Sequence, residues 1–170
     1  LKVGSSRKIS YMTYTPRPGD YGCVTTKGFF GRLIRLGTMS RWNHCFIYVG
    51  DGLIIEANPT GVALSPLKKY HKVAWNKHER LSALTRIQIV DYAFSCIGDP
   101  YSFGTIAGMV IRILGFKLLG SWILGRLAKG KSYICSELVA DSYAHAGFKV
   151  LNKPHSIVTP GDLAERLIYQ

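Results

Sequence analysis

Acidic residues are scarce in this chain. Of 170 residues, 10 are Asp or Glu against 22 Lys or Arg, a formal charge of +12. Such a surface favours anionic partners: nucleic acid, anionic lipid headgroups or an anionic cell-wall polymer. There is no RNP motif, no paired-cysteine finger and no helix-turn-helix pattern, and the charge is spread along the chain. Specific nucleic-acid readout is therefore set aside, and an anionic surface or polymer is the expected partner. Cysteine is also sparse. Cys23, Cys45, Cys96 and Cys135 share no C-x-x-C spacing, which argues against a zinc ribbon or a thioredoxin-type pair. No solenoid-length repeat is evident. Residues 1–18 are polar and basic without an apolar run, so no signal peptide is visible.

The chain is 47% apolar, enough for one domain over residues 1–170 with its own core. The stretch 103–128, "FGTIAGMVIRILGFKLLGSWILGRLA", is the most apolar, but Arg112, Lys117 and Arg126 interrupt it. Its charge-free runs fall short of the ~18–20 residues of a membrane span. It reads as one or two core helices, or as a lid or membrane-touching insertion.

The element pattern is mixed. "PRPGDYGCVTT" is a turn followed by a strand, and 28–42 reads as a short amphipathic helix ending near Gly37. Strands follow over 42–49 and 53–58, joined by Gly50-Asp51-Gly52 as a three-residue hairpin loop. A further strand and a loop span 60–70, and Val73-Ala74-Trp75 is strand-like. The helix 84–98 is expected to set Ile87, Val90, Phe94 and Ile97 on one face and to stop at Gly98. A helix begins at Cys135 and closes at Gly147, and Thr159 before Pro160 caps a last short helix.

Two segments carry candidate chemistry. On 42–49, alternation sends His44, Phe46 and Tyr48 one way and Cys45, Ile47 and Val49 the other. With a three-residue loop, Val49 faces Leu53, Phe46 faces Glu56 and His44 faces Asn58. Glu56 then lies diagonal to His44, within side-chain reach. A two-residue loop would shift the register and turn Glu56 to the opposite face. A carboxylate on one ring nitrogen fixes the tautomer and raises the basicity of the other, as a general base requires.

Cys135 sits in the first turn of its helix, where free N–H groups and the dipole favour a thiolate. Taken alone, that helix favours a small core residue. A histidine nearby would make it a nucleophile, with its own N–H available to an oxyanion. The other cysteines are poorer candidates: Cys45 points away from His44, Cys96 ends a helix and Cys23 lies in a strand. Because His44 and Cys45 face opposite ways they can hardly share an ion, and neither metal nor cofactor is expected. Tyr101, Trp42 and Asn58 are candidate substrate-binding residues around the His44 strand. Glu137 and Asp141 read as a solvated helix face, and His71, His78, His145 and His155 have no motif context.

Taken in order, "PGDYGCV", "RWNHCFIYVGDGLIIEA", "GDPYSFG" and "YICSELVADSYAHAG" resemble the circularly permuted branch of the NlpC/P60 papain-like superfamily. The resemblance covers roughly 18–148. It implies an α+β fold with a small antiparallel sheet packed on a nucleophile-bearing helix. It also implies Cys135 as nucleophile, His44 as base and Glu56 as the third polar residue. Family members cleave amide bonds in peptidoglycan peptides, and some permuted relatives act on lipid acyl groups. Three readings follow. The first is a cysteine hydrolase (amidase or peptidase) of cell-wall peptides, placed at a cell-wall or membrane-associated site. The second is a lipid acyl hydrolase or acyltransferase at a membrane surface, and the third a non-catalytic binding or assembly module.

Overall fold

The structure, a computed structural model, describes residues 14–28, 31, 32, 35, 40–76, 81–113, 115, 116, 119 and 132–168. It is an α+β arrangement of a small antiparallel sheet and four helices among those residues. The strands are β1 (Tyr21–Val24), β2 (His44–Gly50), β3 (Leu53–Asn58), β4 (Gly61–Pro66) and β5 (Ala74–Trp75). The helices are α1 (Ala83–Ser95), α2 (Phe103–Ile113), α3 (Cys135–His145) and α4 (Pro160–Ile168). The sheet order is β4-β3-β2-β1-β5, so the His-bearing strand β2 is central.

Alternation along the strands builds two cores. Tyr21, Cys23, Cys45, Ile47, Ile55 and Ala57 pack with Leu138, Val139 and Tyr143 of α3, Ile89 and Ala93 of α1, and Leu163 of α4. On the other face Val24, Phe46 and Ile54 are covered by Tyr70, Val73 and Trp75. Phe46 and Tyr70 stack at 5.2 Å there, and Phe46 meets Trp75 edge-on at 5.7 Å. Among the described residues no α-helix packs on this second core; the 3-10 turn Leu67–Lys69 and the aromatic side chains of Tyr70 and Trp75 exclude water there.

The β2–β3 hairpin differs from expectation in a way that decides the site. Its loop is two residues, Asp51 and Gly52, both with positive φ (51° and 71°), as a tight primed turn requires. Val49 does not face Leu53. Gly50 pairs with Leu53 while Tyr48 pairs with Ile54, leaving Val49 as an extra residue on β2. This bulge restores the register that the shorter loop removes. From Tyr48 onward the strands pair as expected, through Ile47 and Ile55. Continued downward, the same register sets Phe46 opposite Glu56 and His44 opposite Asn58.

Helix α1 also departs from expectation. Ser82 caps it, accepting from the Thr85 N–H at 3.1 Å, and Gly98 follows its end with φ 92°. But the face turned inward is Arg86, Ile89 and Ala93, while Ile87, Phe94 and Ile97 are exposed. The reason is Arg86, which reaches the buried Asp20 and the Pro18 carbonyl, both at 2.9 Å. That ion pair ties α1 to the start of β1 and rotates the apolar residues outward. Helix α4 starts as read. Thr159 and Asp162 cap each other's backbone N–H groups, at 2.8 and 3.1 Å.

Of the helix expected over 28–42, residues 28, 31, 32, 35 and 40–42 are described, and 31, 32 and 35 are helical. Residues 1–13, His78 and the part of the 103–128 stretch beyond 119 lie outside the described residues. Within the described part, Phe103, Phe116 and Leu119 are about half exposed or more, not core. No helix among the described residues is long and apolar enough to cross a membrane.

Candidate active site

His44 opens β2 and Glu56 lies near the end of β3, on the same sheet face. The restored register brings His44 Nε2 and Glu56 Oε2 to 2.7 Å. Glu56 is fully buried. A buried carboxylate alone would be driven toward its neutral form. Here burial is outweighed by hydrogen bonding and charge from His44 and by the Lys69 ammonium, which hold Glu56 well below the usual carboxylate range. The Tyr70 hydroxyl also donates to Glu56 Oε2, at 2.7 Å. Glu56 is therefore a fixed anion with three donors: His44 and Tyr70 on one oxygen, Lys69 on the other.

Cys135 reaches the same place from the opposite core. It is the first residue of α3, after the extended Ile134 (φ −93°, ψ 163°), and is 2% exposed. A short parallel bridge positions its approach. Tyr133 N–H donates to the Pro100 carbonyl and Ser102 N–H to the Tyr133 carbonyl, both at 3.0 Å. The 98–100 turn is anchored in its own right. Val62 N–H donates to the Asp99 carbonyl at 2.9 Å, and a Cβ on Gly61 would come within 2.8 Å of that oxygen. Gly61, with φ 114°, permits this approach.

The two halves meet electrostatically. With His44 Nε2 taken by Glu56, Nδ1 is the ring nitrogen left for the Cys135 sulfur. Burial lowers the affinity of His44 for its proton. The Cys135 charge and hydrogen bond, with Glu56 behind, outweigh that and raise its pKa to about 9. Cys135 moves the other way. Hydrogen bonding from Cys45, then the His44 charge, lower its pKa well below the usual thiol value against the cost of burial. The opposite shifts favour a thiolate–imidazolium pair near neutral pH.

An open cleft of ≈ 250 Å³ lies at His44, lined among others by Lys27, Asn43, Asn58, Tyr70 and Tyr101. Of the residues expected to bind substrate, Asn58 and Tyr101 border it. Trp42 does not. It is 7% exposed, packed in the helix-side core with the Arg41 guanidinium 4.7 Å over its ring. The neighbour that does line the cleft is Asn43. Its amide binds Thr26 and the Gly31 carbonyl at 2.8–3.1 Å and fixes the opposite wall.

No family model and no curated protein sequence matches the chain. A solved structure does. It is similar to the metalloprotein yiiX from Escherichia coli O157:H7, of the DUF1105 group, with a TM-score of 0.60 and 21% identity. The match covers 81% of this chain and 70% of that one. The likeness is one of fold.

Four site residues were not read from the sequence in these roles. Lys69 and Tyr70 sit in a loop with no motif, and only the 3-10 turn Leu67–Lys69 brings them under Glu56. Asn43 was hidden beside His44. Cys45 does point away from His44's face, as read, but that is the face on which α3 delivers Cys135.

Glu137 and Asp141 are not a solvated pair. Asp141 bonds His155. Glu137 has a buried oxygen without a hydrogen-bond partner among the described residues, and burial raises its pKa to about 7. The 3-10 turn His155–Ile157 packs on α3 and covers them.

Proposed function

We propose that this chain is a cysteine hydrolase of the circularly permuted NlpC/P60 papain-like type. It cleaves amide or peptide bonds, with anionic cell-wall peptides as the substrate class. The supporting observation is the position of His44 between a fixed anion, Glu56, and the sulfur of Cys135. In the reaction the Cys135 thiolate attacks the scissile carbonyl carbon, and the carbonyl oxygen becomes an oxyanion. The free N–H groups of the first turn of α3 face that charge. As the C–N bond breaks, the imidazolium of His44 gives its proton to the leaving amine, leaving a thioester on Cys135. Neutral His44 then takes a proton from water, which attacks the thioester and releases the acid and the thiolate. Glu56 holds the ring and stabilises its charged form in both halves.

The description of the structural relative as a metalloprotein is not carried into this mechanism. Among the described residues no group of three or more His, Cys, Asp or Glu side chains is placed to hold a metal ion. A second reading, acyl hydrolysis or transfer at a lipid surface, draws on a different observation. From 100 to 136 the chain has no acidic residue and five cations. Phe103 and Phe116 are exposed there, and the Phe103 ring touches Tyr101 at the cleft 5.1 Å away. Hydrolysis of muropeptides against that of phospholipid vesicles, with the Cys135→Ser variant as blank, separates the two. Turnover of neither, with no thiolate reactivity at Cys135, would leave a binding module.

A further inference from the structure

All four cysteines of this chain are buried in one cluster; Cys23, Cys45 and Cys135 act on one another within it, and the mechanism above uses one of these three. Cys45 and Cys23 face each other across β2 and β1, on the sheet side that receives α3. Their thiols do not have the same environment. The Cys23 thiol points to the Pro160 carbonyl, 3.9 Å away. Cys45 shares its cluster with Cys135, at the packing of α3 on β2, and hydrogen bonding from Cys45, by its thiol and its backbone amide, acts on the Cys135 thiol. Strand geometry explains the amide. Tyr48 N–H bonds the Asp20 carbonyl on the β1 side at 2.7 Å, so the odd-numbered residues of β2 aim theirs toward β3. The β2–β3 ladder ends at Ile47 and Ile55, which leaves the Cys45 amide outside the ladder at the point where α3 begins.

We infer that Cys45 is a positioning residue for the nucleophile: its S–H and N–H hold the Cys135 sulfur as a thiolate in line with His44. This rests on the reading of Cys135 as the nucleophile. The division of labour is chemical. His44 must give up its proton during the reaction, whereas Cys45 keeps its own. Burial, first, and the neighbouring sulfur keep the Cys45 thiol protonated and therefore a permanent donor. The other titratable groups facing the sulfur are His44, Cys23, Tyr101 and Tyr70. Burial is the leading cause that holds both tyrosines far above neutral pH, so they do not titrate with it.

The test is the pH dependence of iodoacetamide alkylation at Cys135, read by mass spectrometry on the full chain, and it needs no substrate. In Cys45→Ala the apparent thiol pKa rises by about 1–2 units, the scale of one hydrogen bond to a charge. Cys45→Ser, which keeps a donor, stays near wild type. Cys23→Ala does not move. Where Cys45→Ala does not fold, Cys45→Val fills the space without a donor and gives the same rise. A folded Cys45→Ala or Cys45→Val curve that overlays wild type overturns this inference alone. A wild-type Cys135 titrating near the ordinary ~8.5 overturns the nucleophile reading itself.

Discussion

The described residues contain two histidine–carboxylate pairs, and they behave differently. His44–Glu56 lies inside the sheet, with side chains 12% and 0% exposed. His155–Asp141 lies between α3 and a surface turn, with side chains 33% and 26% exposed. Burial pushes both carboxylates toward the neutral form. Glu56 is nevertheless driven down, because three donors converge on it. Asp141 is driven up, because His155 does not offset burial. The imidazoles differ in what lies beyond them: His44 faces a sulfur. A histidine bonded to a carboxylate is therefore a small part of the argument. What marks the site is a carboxylate fixed as an anion at zero exposure, with a cysteine sulfur on the far side of the ring.

The largest effect separating the pairs is expected at Cys135. Cys135→Ser should lower turnover on the order of 10⁴-fold with the thermal midpoint little changed. Wild-type rates in that variant would remove any distinction between the two pairs as catalytic groups. Next comes Glu56→Gln, which should cost on the order of 10²-fold in kcat and more than Asn58→Ala does. The reverse order would mean that the β2–β3 register does not place Glu56 on His44. Tyr70→Phe, which removes one of three donors, should cost about fivefold, the worth of a ~1 kcal/mol hydrogen bond. Asp141→Asn should leave the rate unchanged, and a loss comparable to that of Glu56→Gln would make the two pairs equivalent after all.

Two groups at and beside these pairs, His44 and Glu137, each cost stability as pH rises. The pKa of His44 is raised from 6.5 to about 9 on folding. Its contribution is therefore complete below 6.5 and is lost as pH rises toward 9. Turnover should fall over the upper part of that range as the imidazolium loses its proton. Glu137, beside Asp141, has its pKa raised by burial, the reverse of the shift at Glu56. Its pKa rises from 4.5 to about 7, so the folded state loses stability as pH climbs between those values. Glu137→Gln keeps a capping acceptor for the Ile134 N–H and removes the buried charge. Its melting temperature at pH 8 should rise by ~2 °C with activity intact. A fall in melting temperature would show the ionised form to be satisfied in the folded protein.

Local pattern was enough to read much of this molecule. Alternation along 44–49 and 53–58 placed His44 and Glu56 on one face, because side-chain direction in a strand depends on parity alone. Thr159 and Gly98 marked helix ends through their own backbone chemistry. The start of α3 at Cys135 was legible for the same reason. The hairpin loop is one residue shorter than its sequence suggests, and the register survives only because a bulge at Val49 compensates; nothing in "YVGDGL" announces a bulge. Other features depended on partners distant in sequence. Arg86 turned inward because Asp20, 66 residues away, needed a cation. Lys69 and Tyr70 acquired a role because a loop folds back under Glu56. Cys45 became a neighbour of Cys135 because α3 crosses that side of β2 where the ladder to β3 ends. Strand parity and capping are properties of a few adjacent residues, so the sequence determined them unaided. Which buried charge finds its counter-charge, and which thiol faces which, is set by three-dimensional packing, and only the tertiary structure decided it.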